Sequence, residues 1–206
     1  MAARGRFITL EGIDGAGKSS HVAALRERIA ARGANVVVTR EPGGTPVGER
    51  LREIVLHDAM RPLAEALAMF AARSAHIEAV IEPGLASGAW ILCDRFSDST
   101  YAYQCGGRGL AAESVAALER LVHPHLQPDA TFLFDIDPAV AYERQRQRTA
   151  APDKFESEKA DFFRRVREAY LERARRDPKR IRVIDARGSV PEVRARLLAA
   201  FDEAFR

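Results

Sequence analysis

The segment from Gly12 to Ser19, "GIDGAGKS", constrains what this chain can fold into more than any other stretch. It follows "RFITLEG", an apolar run that reads as a buried strand. It precedes "GKSSHVAALRERIAARG", where Val22, Leu25 and Ile29 recur at helical spacing until Gly33 ends the run. Glycine costs conformational entropy wherever a chain orders it, so glycines gathered at a strand-to-helix turn need a physical reason. The spacing G-x-x-x-x-G-K-[ST] supplies one. Backbone N–H groups there wrap around phosphate oxygens, side chains at the glycine positions would block the approach, and the following helix aims its positive end at the anion. Gly12, Ile13, Asp14, Gly15, Ala16, Gly17, Lys18, Ser19 and Ser20 are therefore the candidate phosphate cradle. In such a loop the lysine bridges the terminal phosphates of ATP and the Ser19 hydroxyl ligates Mg²⁺.

The rest of the chain alternates in the same way. Strands are expected at "NVVVTREPGG", "AWILCDRF", "DATFLFDID" and "RIRVIDA". Helices are expected between them: "TPVGERLREIVLHD" with Thr45 as N-cap and Pro46 at the first position, then "RPLAEALAMFAARSAHIEAVIEPG", "AAESVAALERLVHPHLQP", two helices broken at "TAAPD", and a last one at "SVPEVRARLLAAFDEAF". Apolar strands alternating with helices around a P-loop imply an α/β fold. Its five-stranded parallel sheet would carry helices on both faces and an arginine-rich lid at about 144–156. With no repeat or linker in sight, residues 1–206 are expected to form one domain. A charged fraction of 30% and a net charge of +3 give little reason to expect a nucleic-acid partner. The apolar runs are too short to expect a membrane partner. The start lacks a signal-peptide pattern, and Cys93 and Cys105 are too few for a disulfide framework, so a cytoplasmic protein with reduced thiols is expected.

A P-loop announces a nucleotide, not a reaction. A GTPase switch needs an N-K-x-D guanine reader, yet the only asparagine, Asn35, is followed by Val36, and the D-x-x-G at Asp185 comes after the last strand. The third strand instead ends in Asp94-Arg95 and the second in Arg40. Ligands of an open α/β sheet sit beyond the carboxyl ends of its strands, so both arginines should face the same crevice as the P-loop. Asp94 can hold a metal-bound water there, and guanidinium groups suit a second, acceptor phosphate.

"EGIDGAGKSS", "TREPGGT", "FAARSAH" and "DRF" followed by "STYAYQCGGRG" together resemble the thymidylate kinases of bacteria, over nearly the whole chain. The resemblance implies the P-loop nucleotide-kinase fold and phosphoryl transfer from ATP·Mg²⁺ to dTMP. It gives Phe70 the thymine-stacking role and places Arg73, Thr100 and Gln104 on the base edge. Ser99 falls in the acceptor segment, and Tyr103 crowds the sugar's 2′ position. Asp14 would reach the 3′-hydroxyl or a metal-bound water, and Arg40 and Arg95 would clamp the acceptor phosphate. The chain resembles the branch whose catalytic arginine lies in the lid, because "DGAG" carries none in the P-loop. The candidates are Arg144, Arg146 and Arg148, with Arg146 and Arg148 preferred, while Lys154 stands where lid-type relatives commonly carry arginine. No general base is expected: the acceptor monoester has its second pKa near ~6 and is already mostly dianionic. The alternatives are a kinase of another nucleoside monophosphate and a P-loop ATPase that binds nucleic acid. Apolar residues around most of "PLAEALAMFAARSAHIEAVI", with the family resemblance, lead us to expect a homodimer.

Overall fold

The computed structural model describes residues 4–146 and 156–206. Five strands, β1 (Phe7–Glu11), β2 (Val36–Arg40), β3 (Trp90–Asp94), β4 (Ala130–Asp135) and β5 (Ile181–Asp185), form one parallel sheet in the order β2-β3-β1-β4-β5. The central strand β1 is fully buried, as an unbroken apolar run between two helical layers requires. Its alternation divides the core. Ile8 and Leu10, with Leu92 of β3, pack with Leu25 and Ile29 of α1 (Val22–Ala30) and with Leu197 and Phe201 of α9 (Val190–Ala204). Phe7, Ile91 and Cys93 point the other way, to Ile77, Ile81 and Leu85. Helices thus cover both faces, as the sequence implied.

The helix after the P-loop opens as a tight 3₁₀ turn, Lys18–His21, before α1. Thr45 caps α2 (Pro46–His57) as expected, its hydroxyl accepting from the Gly48 N–H at 3.0 Å. The long apolar helix is α3 (Pro62–His76), continued through a π-helical turn, Ile77–Ile81, into the short α4 (Glu82–Ala86). The helix α6 (Ala112–Val122) follows the sequence reading, as do α7 (Pro138–Arg146) and α8 (Glu156–Arg176).

One helix has no counterpart in that reading. The segment after β3 forms α5 (Ser97–Thr100) and runs on as a π-helical stretch, Tyr101–Gly107. Its two glycines serve close packing: a Cβ on Gly106 would lie 2.4 Å from the Ala169 Cβ, and one on Gly107 2.4 Å from the Phe162 ring, both on α8.

Candidate active site

A crevice of about 650 Å³ opens at the carboxyl ends of the strands and is lined by Asp14 through Ser20. The P-loop wraps there because two of its glycines cannot be anything else. Gly12 has φ +134°, and a Cβ would sit 2.5 Å from the Phe134 carbonyl oxygen. Gly15 has φ +82°, and a Cβ there would sit 2.4 Å from the Ala141 carbonyl oxygen. Lys18 is buried and donates to the carbonyls of Gly12 (3.0 Å) and Ile13 (3.4 Å). Burial, and then the Arg95 charge, lower its pKa to about 8. Across from it, the Asp94 Oδ1 is buried without a hydrogen-bond partner. Asp94, with that unpaired acceptor, and Ser19 both line the crevice, a donor set that fits a hydrated divalent cation shared with nucleotide phosphates.

Arg95 leaves the end of β3 in the left-handed region, at φ +74°, where a side chain is strained. That bend carries its guanidinium back over the P-loop. Nη2 donates to Asp14 Oδ1 (2.7 Å) and to the Tyr103 hydroxyl (3.1 Å), and Nη1 to Ser99 and Tyr170 (3.1 Å each). Burial would raise the Asp14 pKa, but Arg95 and Lys18 outweigh it and hold the carboxylate below its ordinary range. Arg40 faces the same crevice from the end of β2 and pairs with Glu49 at 2.8 Å.

Beside the crevice lies a second cavity of about 300 Å³, which reaches between α2, α3 and the π-helical stretch. Ser99, Tyr103 and Gln104 line it, and it shares Asp14, Glu41, Arg52 and Arg95 with the first. Arg73 is 1% exposed, bonded through Nε to Glu41 (2.8 Å) and through Nη2 to Thr100 (3.2 Å). Its Nη1 is buried with no partner, and so is the Gln104 Oε1, whose amide nitrogen is held by Glu65 at 2.8 Å. Phe70, expected as a stacking surface, is only 2% exposed. Its ring lies parallel to His123 at 5.9 Å and under the Arg73 guanidinium at 4.4 Å.

On the lid side, Arg144 lines the crevice and donates to the carbonyls of Ala186 (3.1 Å) and Gly188 (3.3 Å). Arg146 does not line it; its guanidinium is half exposed and lies 3.8 Å from Glu143. Arg148 and Lys154 fall outside the described residues.

The thymidylate kinase family model matches residues 10–197. The chain belongs to the thymidylate kinase family. It is 55% identical over 195 residues to the thymidylate kinase of Methylobacillus flagellatus, covering 95% of this chain and 96% of that one. It is 56% identical over 194 residues to the thymidylate kinase of Cupriavidus metallidurans, covering 94% and 96%. The crystal structure of the thymidylate kinase of Ehrlichia chaffeensis superposes with a TM-score of 0.79 at 32% identity, over 97% of this chain and 99% of that one.

Three residues that line the crevice, Arg52, Glu41 and Arg144, were passed over or ranked lower on sequence alone. Arg52 lines both cavities and donates to the Pro42 carbonyl at 2.9 Å. In "GERLREI" it looks like any arginine on a solvated helix face. Glu41 had no visible partner 32 residues away in Arg73. Arg144 was the less favoured of the three lid candidates, because only the fold brings the carbonyls of Ala186 and Gly188, on the loop after β5, within its reach.

Proposed function

We propose that this chain transfers the γ-phosphoryl group of ATP to dTMP, giving dTDP and ADP. One observation carries the choice of acceptor: Gln104, which lines the second cavity, and Arg73, bonded to the cavity-lining Glu41, each hold one buried polar atom without a partner, the Gln104 Oε1 acceptor and the Arg73 Nη1 donor. A thymine edge presents the complement, an O4 acceptor beside an N3–H donor. Cytosine presents the reverse and would leave both protein groups unpaired, at about 1–3 kcal/mol each. Family membership supports the same reading, and nothing favours a nucleic-acid-dependent ATPase.

The donor's phosphates would lie in the P-loop, neutralised by Lys18, with its base side near Arg144. The acceptor phosphate would lie between Arg40, Arg52 and Arg95, while Tyr103 and Asp14 crowd the sugar. Phe70 would supply the wall behind the base, its ring held by Arg73. Ser19, and Asp94 through a water, would hold Mg²⁺, which supplies charge neutralisation on the transferring phosphoryl. No side chain needs to take a proton, so catalysis is alignment and neutralisation. Arg146 and Arg148 are the proposed lid cations. We read residues 1–206 as one domain acting in the cytoplasm. We also read it as a homodimer paired through the face of α3 that leaves Leu63 and Leu67 half exposed. Among the described residues no helix is long and apolar enough to cross a membrane.

An acceptor screen with ATP·Mg²⁺ and each nucleoside monophosphate tests the reading. dTMP should be turned over fastest; faster turnover of another monophosphate defeats it, and DNA-stimulated hydrolysis without any acceptor would favour the ATPase. A monomer mass across micromolar concentrations would refute the pairing.

A further inference from the structure

We propose that Glu41 and His76 are positioning residues that join the two halves of the acceptor pocket. Glu41, on the loop that carries Arg40, fixes the guanidinium of Arg73, and His76 fixes Glu41. The inference rests on the acceptor reading above and extends it to residues that touch no substrate.

The three side chains are buried, at 4%, 0% and 1% exposure for Glu41, His76 and Arg73. Each carboxylate oxygen of Glu41 has its own partner: Oε2 accepts from Arg73 Nε at 2.8 Å and Oε1 from His76 Nδ1 at 2.9 Å. The far ring nitrogen, Nε2, is hydrogen-bonded to the Thr39 hydroxyl at 2.7 Å, and Thr39 is paired to Cys93 in the sheet. The chain of contacts therefore runs from β2 through an imidazole and a carboxylate to the guanidinium. Around Arg73 every other freedom is taken. Thr100 holds Nη2, and the rings of Phe70 and Phe96 lie against the guanidinium at 4.4 and 5.0 Å. Only Nη1 is left without a partner, on a guanidinium whose Nε is held by Glu41 of the cavity wall.

His76 also supports the loop itself. Gly44 lies so close over it that a Cβ there would be 2.6 Å from the imidazole Cδ2 and 2.8 Å from the Thr39 hydroxyl. The loop from Arg40 to Gly44 thus rests on one ring at two points. Stability alone is a poor reason for such an arrangement. Burying an ion pair costs desolvation that a packed apolar cluster avoids, so exchanging it for apolar residues is often neutral or stabilising. Placing the phosphate-clamping loop and the base-reading arginine on one carboxylate gives it a use. The base edge and the phosphate are then presented at a fixed separation, and an acceptor must satisfy both at once.

Steady-state kinetics on the full chain tests this. His76→Phe and the isosteric Glu41→Gln should each raise KM for dTMP roughly ten- to hundredfold, the range for losing a hydrogen bond to a charged group, with KM for ATP unchanged. His76→Asn should restore most of the loss, because its amide N–H can occupy the place of Nδ1. In an Arg73→Gln background His76→Phe should add nothing further, since both act through the same guanidinium. Equal losses in the two backgrounds, or an unchanged KM for dTMP in Glu41→Gln, would overturn the inference while leaving the acceptor reading intact. Absence of dTMP turnover in the unsubstituted chain would overturn both, before any variant is made.

Discussion

The two halves of the crevice are built from different parts of the polypeptide. The donor half is mostly backbone: two glycines that admit no Cβ, a turn of N–H groups and a single lysine folded onto the loop's own carbonyls. The acceptor half is mostly side chains, with Arg40, Arg52, Arg73 and Arg95 each held by a partner. Backbone geometry can be changed only by breaking it, so the donor half should respond to substitution in an all-or-none way. A network of side chains can be taken apart one contact at a time, so the acceptor half should lose affinity in steps. Any P-loop enzyme can share the first half; in the function proposed above, the second decides the substrate.

The largest effect expected is on the donor side. Lys18→Ala should lower kcat by at least ~10³-fold, since a cation on the transferring phosphoryl is lost, with the fold unchanged by circular dichroism. Near-native turnover would break the contrast at its root. The lid sharpens it. Arg146→Ala/Arg148→Ala should lower kcat, towards ~10³-fold, with KM for ATP unchanged, as an interaction confined to the transition state does. Arg144→Ala, which removes a group anchored on the loop after β5, should instead raise KM for ATP.

A smaller effect comes from pH. With its pKa lowered to about 8, Lys18 in the free protein loses its charge as pH rises through that value. kcat/KM for ATP should therefore fall above pH 8, by about tenfold per unit. Lys18→Arg should lack that bend whatever its absolute rate, because guanidinium stays charged. Stability moves the other way. The unfolded chain binds more protons at this lysine between about 8 and the ordinary value of 10.5, so this residue's contribution to stability rises with pH across that window. The smallest effect belongs to the acceptor loop. Thr45→Ala removes the cap on Gly48 and should cost ~1 kcal/mol in denaturant unfolding, with kcat unchanged.

The same contrast explains what could be read in the sequence. Gly12 and Gly17 both hold positive φ, so their spacing survives as a pattern, and the strand before them is apolar because both faces are covered. Thr45-Pro46 was legible for a similar reason: a cap and a fixed φ act locally. The helix at Ser97–Gly107 was not. Its glycines look like loop residues until Phe162 and Ala169 of α8 arrive to fill the space where side chains would be. Glu41, His76 and Arg52 were invisible because their partners are set by the fold and not by spacing. Phe70 and Arg73 were singled out only through family resemblance; helical periodicity alone says they share a face, not what that face meets.

The register of β1 against β3 has one more consequence. Leu10 lies opposite Asp94, and the Arg95 N–H still bonds the Leu10 carbonyl at 3.0 Å, so the P-loop and the acceptor arginine leave from neighbouring rungs of one ladder. Adjacent strands in any sheet stand about 4.8 Å apart. The offset between the two phosphate-handling groups is thus ruled by hydrogen-bond spacing, which no loop insertion can stretch. Helices α2 and α3 and the segment after β3 can be remodelled for a different base, and the gap that the phosphoryl group must cross will stay the same.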